Sequence, residues 1–290
     1  MSRRPAAAPA AGWRGRLLPL LFWLLVWECA ALCAAHRTLL PAWALWRETG
    51  DPSELLACLW AGQTFILPAP PRVAEEFFAL AGTGEFWRTA AVSLGRVFAG
   101  AAAGVGLGTA LAALTAAFRW ARLLLAPAVK VVRATPVASF IILVLLWADR
   151  DWVPVIISAL MVLPVVWGNV VQGVDSADAG LLEFSRAYGL SSWRRLRLVY
   201  VPSVLPYFAA ACRTSLGLAW KAGVAAEVLC LPRLAIGTQV SNAKIYLETP
   251  ALFAWTLTVL LLSFLLEGVL GRLLGRLERR KGGTDHAAAA

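Results

Sequence analysis

The sequence is poor in charge. Only 15% of its 290 residues are charged, against 60% hydrophobic, and the mean hydropathy is +0.69. Soluble domains carry roughly a quarter of their residues as charges, so a single water-soluble globule is excluded. Histidine is nearly absent, at His36 and His286 alone. The cysteines Cys29, Cys33, Cys58, Cys212 and Cys230 form no Cys-x-x-Cys pair and no Cys/His cluster, so no metal site is expected. A disulfide between Cys58 and Cys230 stays open. No Gly-x-x-x-x-Gly-Lys-Ser/Thr run occurs, so the loop that cradles nucleotide phosphates is missing. No Ser/His/Asp or Cys/His triad replaces it. The chain is therefore expected not to be an enzyme and to hold no cofactor. Acid is scarcer than base, with 17 Asp and Glu against 27 Lys and Arg for a net +10. That imbalance does not signal nucleic acid, because the basic residues sit at the ends of apolar runs.

Long apolar runs are what the chain does have. Each approaches the roughly 20 residues that cross a bilayer as a helix. The reading is an all-α polytopic membrane protein with about six spans, near 17–35, 89–118, 123–147, 152–174, 203–228 and 251–270. Pro127 and Pro136 interrupt the third run, and Pro154 and Pro164 fall in the fourth. Residues 1–16 read as a disordered cytoplasmic tail. Residues 17–87 comprise the first span and an extracytoplasmic segment, 88–275 the core with a polar loop at 175–202, and 276–290 a second cytoplasmic tail. Gly100, Gly104 and Gly108 recur every fourth residue, which bares one helix face for close approach by another helix. With this topology fifteen Lys and Arg lie on the side of the polar loop and both termini, and seven on the other. Basic residues favour the cytoplasm, so both ends and the loop are placed there.

That loop is the longest polar interruption. Residues 183–202 read EFSRAYGLSSWRRLRLVYVP. A short helix over 181–188 should close at Gly189, the residue suited to a left-handed turn. Ser191 or Ser192 can cap a second short helix, with Pro202 and Pro206 marking its end. As a bland alternative, Arg186, Arg194, Arg195 and Arg197 simply hold the loop in the cytoplasm. The spacing of Glu183, Gly189, Val199, Val201 and Pro202 resembles the Glu-Ala-Ala motif of permease subunits of binding-protein-dependent ABC importers. Phe184 and Ser185 replace the two alanines. The resemblance implies a type I importer permease in which Glu183, Phe184, Ser185, Ala187, Gly189 and Pro202 couple the membrane helices to a separate ABC ATPase, where ATP would bind. It also implies a homodimer in the membrane, an extracytoplasmic substrate-binding protein, and the cytoplasmic membrane of a prokaryote as location.

Two softer features resemble the nitrate/sulfonate/taurine group of these permeases. One is Leu67-Pro68-Ala69-Pro70; the other is SLGLAWKAGVAAE at 215–227. That group implies a small polar or anionic solute of nitrate, sulfonate, taurine or thiamine-precursor type. Charges inside apolar runs need protein, water or the interface around them. On that ground Arg133, Lys221 and Glu227 are candidates for a translocation path, although Lys130 and Arg133 can also snorkel to the interface. Lys221 and Glu227, six apart, lie on nearly opposite sides of a straight helix. The alternatives are a stand-alone secondary transporter and the transmembrane component of an energy-coupling-factor transporter. Nothing in the sequence assigns a role to residues 36–63.

Overall fold

The computed structural model describes residues 13–63 and 66–287. The described residues are helical apart from one two-stranded ribbon. The elements are α1 (Trp13–Ala34), α2 (His36–Thr49), α3 (Ser53–Ala61), β1 (Gly62–Gln63), β2 (Leu67–Pro68), α4 (Pro70–Ala81), α5 (Gly84–Ala117), α6 (Arg119–Ala134), α7 (Val137–Leu145) and α8 (Val153–Asp175). They continue with α9 (Ala179–Ala187), α10 (Ser192–Arg195), a π-helical turn (Leu196–Tyr200), α11 (Val201–Cys230), α12 (Ile236–Ile245) and α13 (Thr249–Ala287). Two compact units result. One holds the chain up to Gly82 together with Ala243–Trp255; the other holds Thr83–Asn242 and the chain from Thr256 onward.

In the first unit α1 is long and apolar enough to cross a membrane, and Trp27 stacks on Phe253 with ring centroids 5.7 Å apart. Residues 36–63 form α2, α3 and β1, the last paired antiparallel with β2. Pro68 and Pro70 explain why the ribbon gives way to a helix only at α4: the residue before a proline is kept extended, and Pro70 then suits the first helical turn. Glu75 on α4 accepts hydrogen bonds from Arg72 at 2.7 Å and from the Trp60 indole at 3.4 Å. This ties α3 to α4. The Arg72 hydrogen bond, then Trp60, holds the Glu75 carboxyl below its ordinary pKa.

The second unit is built on α5, α8 and α11. Thr83 caps α5 by accepting from the Phe86 amide at 3.3 Å. The buried residues of α5, among them Ser93, Val97, Gly100, Gly104 and Gly108, recur at three and four, so one stripe faces inward. The glycine face is used as expected. A Cβ on Gly100 would lie 2.3 Å from the Val155 carbonyl oxygen, one on Gly104 2.6 Å from that of Ala159, and one on Gly108 2.9 Å from that of Leu163. The two helices therefore advance together in four-residue steps and run parallel. α11 runs antiparallel to both: Ser158 Oγ donates to the Ala219 carbonyl at 3.1 Å near one end, and Gly173 faces Val204 near the other.

Parallel α5 and α8 require the chain to return between them. α6 and α7 make that return, but they bend by 103° at Thr135–Pro136. The third run is thus not one straight span. Thr135 and Pro136 are both extended, as the clash of a proline ring with the preceding residue dictates, whereas Pro127 sits inside α6 without breaking it. Among the described residues four single helices are long and apolar enough to cross, and this bent pair makes a fifth candidate. α11 falls short by composition although it has 30 residues, because Arg213, Lys221 and Glu227 interrupt it. The expected tail at 1–16 lies mostly outside the described residues, and α13 continues the last span as helix to Ala287. All five cysteines are free.

Candidate functional site

The polar loop after α8 folds as two short helices around a sharp turn. Asp178 caps α9, its carboxylate accepting from the Leu181 amide at 3.0 Å. α9 ends at Gly189, whose φ is +62°. The Leu190 amide donates to the Ser185 carbonyl and the Gly189 amide to the Arg186 carbonyl, both at 3.0 Å. This crossed pair is the Schellman closure that a left-handed glycine allows. Ser191, rather than Ser192, caps α10 by accepting from the Arg194 amide at 3.4 Å.

Pro202 and Pro206 do not end the second helix. It widens into the π turn at 196–200, where the Val201 amide reaches back five residues to the Leu196 carbonyl, and then becomes α11. Pro202 has no amide hydrogen and its ring crowds the carbonyl four residues earlier. One wide turn makes room for it without breaking the rod.

Of the expected coupling residues, Glu183, Phe184, Ala187, Gly189 and Pro202 are exposed, and Ser185 is buried with its hydroxyl on the Leu182 carbonyl. The outer surface is apolar and aromatic. Phe184 and Tyr188 stack with centroids 4.2 Å apart, and Leu181 and Trp193 are also exposed. Together they make an exposed apolar face flanked by the exposed Arg186 and Arg194.

The candidate path residues are not brought together. Arg133 is exposed near the end of α6. Lys221 is exposed and lines an open cavity of about 410 Å³ with Arg213, Thr214, Gly217 and Glu267. Glu227, by contrast, has no exposed surface. Its Oε2 accepts from Ser93 Oγ at 2.9 Å and from the Gly237 amide at 3.1 Å. Ser93 in turn accepts from the Ile236 amide at 2.9 Å.

One turn along α5, Arg96 donates to Asp151 at 2.6 Å and to the carbonyls of Arg233 and Leu234 at 2.8 and 3.2 Å. Asp151 also accepts from the Arg233 amide at 3.0 Å. These bonds hold Leu231 and Leu234 at positive φ, +52° and +47°, a conformation that leucine adopts only when its surroundings impose it. The group clasps the start of α5, the turn before α8, the end of α11 and the loop beyond. Within it Arg96 pairs with Asp151, and Glu227 Oε1 lies 3.9 Å from Arg96 and accepts no hydrogen bond.

Sequence reasoning missed Ser93 and Arg96 as neighbours of Glu227, Asp151 as the partner of Arg96, and Glu267 in the lining of the Lys221 cavity. The signal was present. Arg96 and Glu267 are charges inside apolar runs, and a buried charge calls for an opposite one. At the other end of the same helices Arg122 grips Asp175 with both guanidinium nitrogens, at 2.5 and 3.1 Å.

Residues 104–279 match the family described as binding-protein-dependent transport system inner membrane component. The chain is 32% identical over 211 residues to a putative aliphatic sulfonates transport permease of Escherichia coli, covering 72% of this chain and 77% of that one. It is 30% identical over 246 residues to a riboflavin transport system permease of Chloroflexus aurantiacus, covering 80% and 91%. Among solved structures it resembles a crystal structure of an amino acid ABC transporter with histidines, with a TM-score of 0.55 and 18% identity, over 71% of this chain and 94% of that one.

Proposed function

Because this chain belongs to the family of binding-protein-dependent transport system inner membrane components, and is the permease of an ABC importer of type I fold, we propose that it carries a small polar or anionic solute of sulfonate or taurine type inward, driven by ATP bound and hydrolysed on a separate ABC ATPase. The observation that carries the coupling is the stiff elbow at Gly189. It presents Phe184 and Tyr188 on one exposed face and continues without a break into α11. A push on that face is transmitted along the rod to the Lys221 cavity and the Glu227 clasp. The sequence has no Gly-x-x-x-x-Gly-Lys-Ser/Thr run of its own.

The excess of basic residues on the elbow's side supports a cytoplasmic elbow with both termini inside. The clasp end then faces outward, where a substrate-binding protein delivers its cargo. The translocation path runs past the open Lys221 cavity and Arg133, with a second copy of the chain completing it. Glu227 acts on that path by holding the outer ends of α5 and α11 together. Similarity to permeases named for sulfonates and for riboflavin leaves specificity to the binding protein, and the cations at Arg213 and Lys221 favour the anion.

Affinity capture of the tagged chain from native membranes tests this reading. An ABC ATPase subunit should co-purify. Gly189→Val should release it, because a β-branched residue resists positive φ, while the chain remains in the membrane. Transport at full rate without an ATPase would overturn it.

A further inference from the structure

We infer that the face between α5 and the elbow holds an anionic phospholipid from the leaflet on the elbow's side, its acyl chain in an apolar groove and its headgroup phosphate on Arg119. The groove has a volume of about 590 Å³, within the ~300–1,000 Å³ typical of ligand pockets. One wall is the α5 stripe that includes Thr109 and Ala113, the floor includes Val170 of α8, and the other wall is Tyr200, Leu205 and Phe208. Its polar side chains are few, and the Thr109 hydroxyl is already spent on the Val105 carbonyl. An apolar chain suits such a slot and a polar solute does not.

What identifies the occupant is the rim. At the end of α5 the groove adjoins a second cavity of about 520 Å³, whose lining shares Ala116 and Val174 with it and includes Arg119, Arg122 and Asp175. Arg122 is neutralised by Asp175. Arg119 is exposed and has no ion-pair partner among the described residues. Phe118 and Trp120, both exposed with rings 5.9 Å apart, flank it. Aromatic and basic side chains together mark headgroup depth. An apolar slot leading from the membrane interior to one unpaired cation at that depth matches a lipid with one negative headgroup. Because Tyr200 and Val201 line the slot, the bound chain would brace the π turn through which the elbow joins α11.

The inference rests on the chain crossing the bilayer with the elbow in the cytoplasm, and its failure is separable from that reading: lipid occupancy and ATPase capture are independent measurements. The complex with its ATPase is reconstituted in phosphatidylcholine vesicles with a minor share of phosphatidylglycerol carrying a photoreactive acyl chain. Labelling is expected within 109–117 and 196–208. Moving the photoreactive chain to phosphatidylcholine should reduce labelling about fivefold, the value of one basic residue at an anionic surface. Arg119→Glu should reduce it as much, and Arg119→Lys should restore it. Ala113→Trp should block the groove, whereas Leu107→Trp, on another exposed part of α5, should not. If Ala113→Trp fails to fold, the surface pair at Arg119 still decides. Equal labelling by the two lipids, unchanged labelling in Arg119→Glu, displacement by millimolar inorganic phosphate, or a copy-to-copy crosslink through Ala113→Cys would each overturn the inference.

Discussion

Gly104→Ala is the sharpest test of how the second unit is held together. In helix α5 the added methyl would lie 2.6 Å from the Ala159 carbonyl oxygen, 2.7 Å from Val162 Cβ and 3.0 Å from its Cγ1. None of the three can turn away far. The first is backbone, the second is fixed to backbone, and the third belongs to a β-branched residue with one preferred helical rotamer. Ordinary contact starts near 3.4 Å, so the helices must part by about 0.8 Å in a core packed to crystal density. A gap of that size forfeits roughly a quarter to a half of the dispersion energy of each atom pair along the seam. Overpacking of this kind costs about 1–3 kcal/mol, and the immobile neighbours place this site at the upper end.

Alanine returns up to ~1 kcal/mol through helix propensity, leaving a net loss of about 2 kcal/mol for Gly104→Ala after the overpacking cost. Gly106 is the matched control: two residues away in the same helix, a Cβ there meets nothing within 4 Å. Gly106→Ala should therefore be neutral or stabilising by up to ~1 kcal/mol. For a chain of this size the pair should differ by about 4–12 °C in thermal midpoint, read in detergent from the loss of the monodisperse species. Equal midpoints for the two variants would refute the close-packed seam.

Glu227→Ala should lower stability by about 1–3 kcal/mol, because it leaves the buried Ser93 hydroxyl and Gly237 amide without their acceptor; Glu227→Gln, which keeps an acceptor oxygen, should lose less in the same assay. Lys221→Ala should leave abundance in the membrane unchanged and cut uptake, since the side chain is exposed to a cavity and holds no structural bond; intact uptake would remove Lys221 from the path. Arg122→Ala should cost no more than ~1 kcal/mol, because the pair with Asp175 is half-exposed, and the Arg122→Asp, Asp175→Arg exchange should recover whatever is lost. Phe184→Ala should weaken capture of the ATPase while leaving the thermal midpoint in place, since the ring is exposed and touches only Tyr188 among the aromatic residues.

The parts of the fold legible in the sequence were those set by one residue and its immediate neighbours. Gly189 had to be left-handed to close α9, and the glycine ladder of α5 had to face another helix. Both need only local geometry, and both are found. What was hidden depends on partners far apart in sequence. The bend between α6 and α7 is written in Pro136, but so was a bend at Pro127 that does not occur. A proline at helix position eight or nine, with a free turn before it, can be absorbed; one preceded by an extended Thr135 cannot. Glu227 stood out as a charge in an apolar helix, but only the parallel run of α5 and α8 brings Ser93, Arg96 and Asp151 to the same end of the unit. Spacing along one helix excludes a Lys221–Glu227 pair; it cannot say which of the two is enclosed.

The two charged sites at opposite ends divide the work in a way their surroundings explain. The Glu227 clasp combines a fully enclosed carboxylate, a mostly buried guanidinium and two leucines at positive φ. Breaking such a site exposes matched charges and strained backbone together, so it should open in one step rather than by degrees. The Arg122–Asp175 pair at the other end is half-exposed and can part and re-form at little cost. α11 connects them as a rod from the elbow to the clasp. A displacement at the elbow therefore meets a yielding contact first and an all-or-none one last. On the proposed reading, that order suits a permease whose elbow side moves first and whose clasp side moves last. If the clasp were instead the yielding contact, Glu227→Gln and Arg122→Ala would have equal effects on stability, and the division would fail.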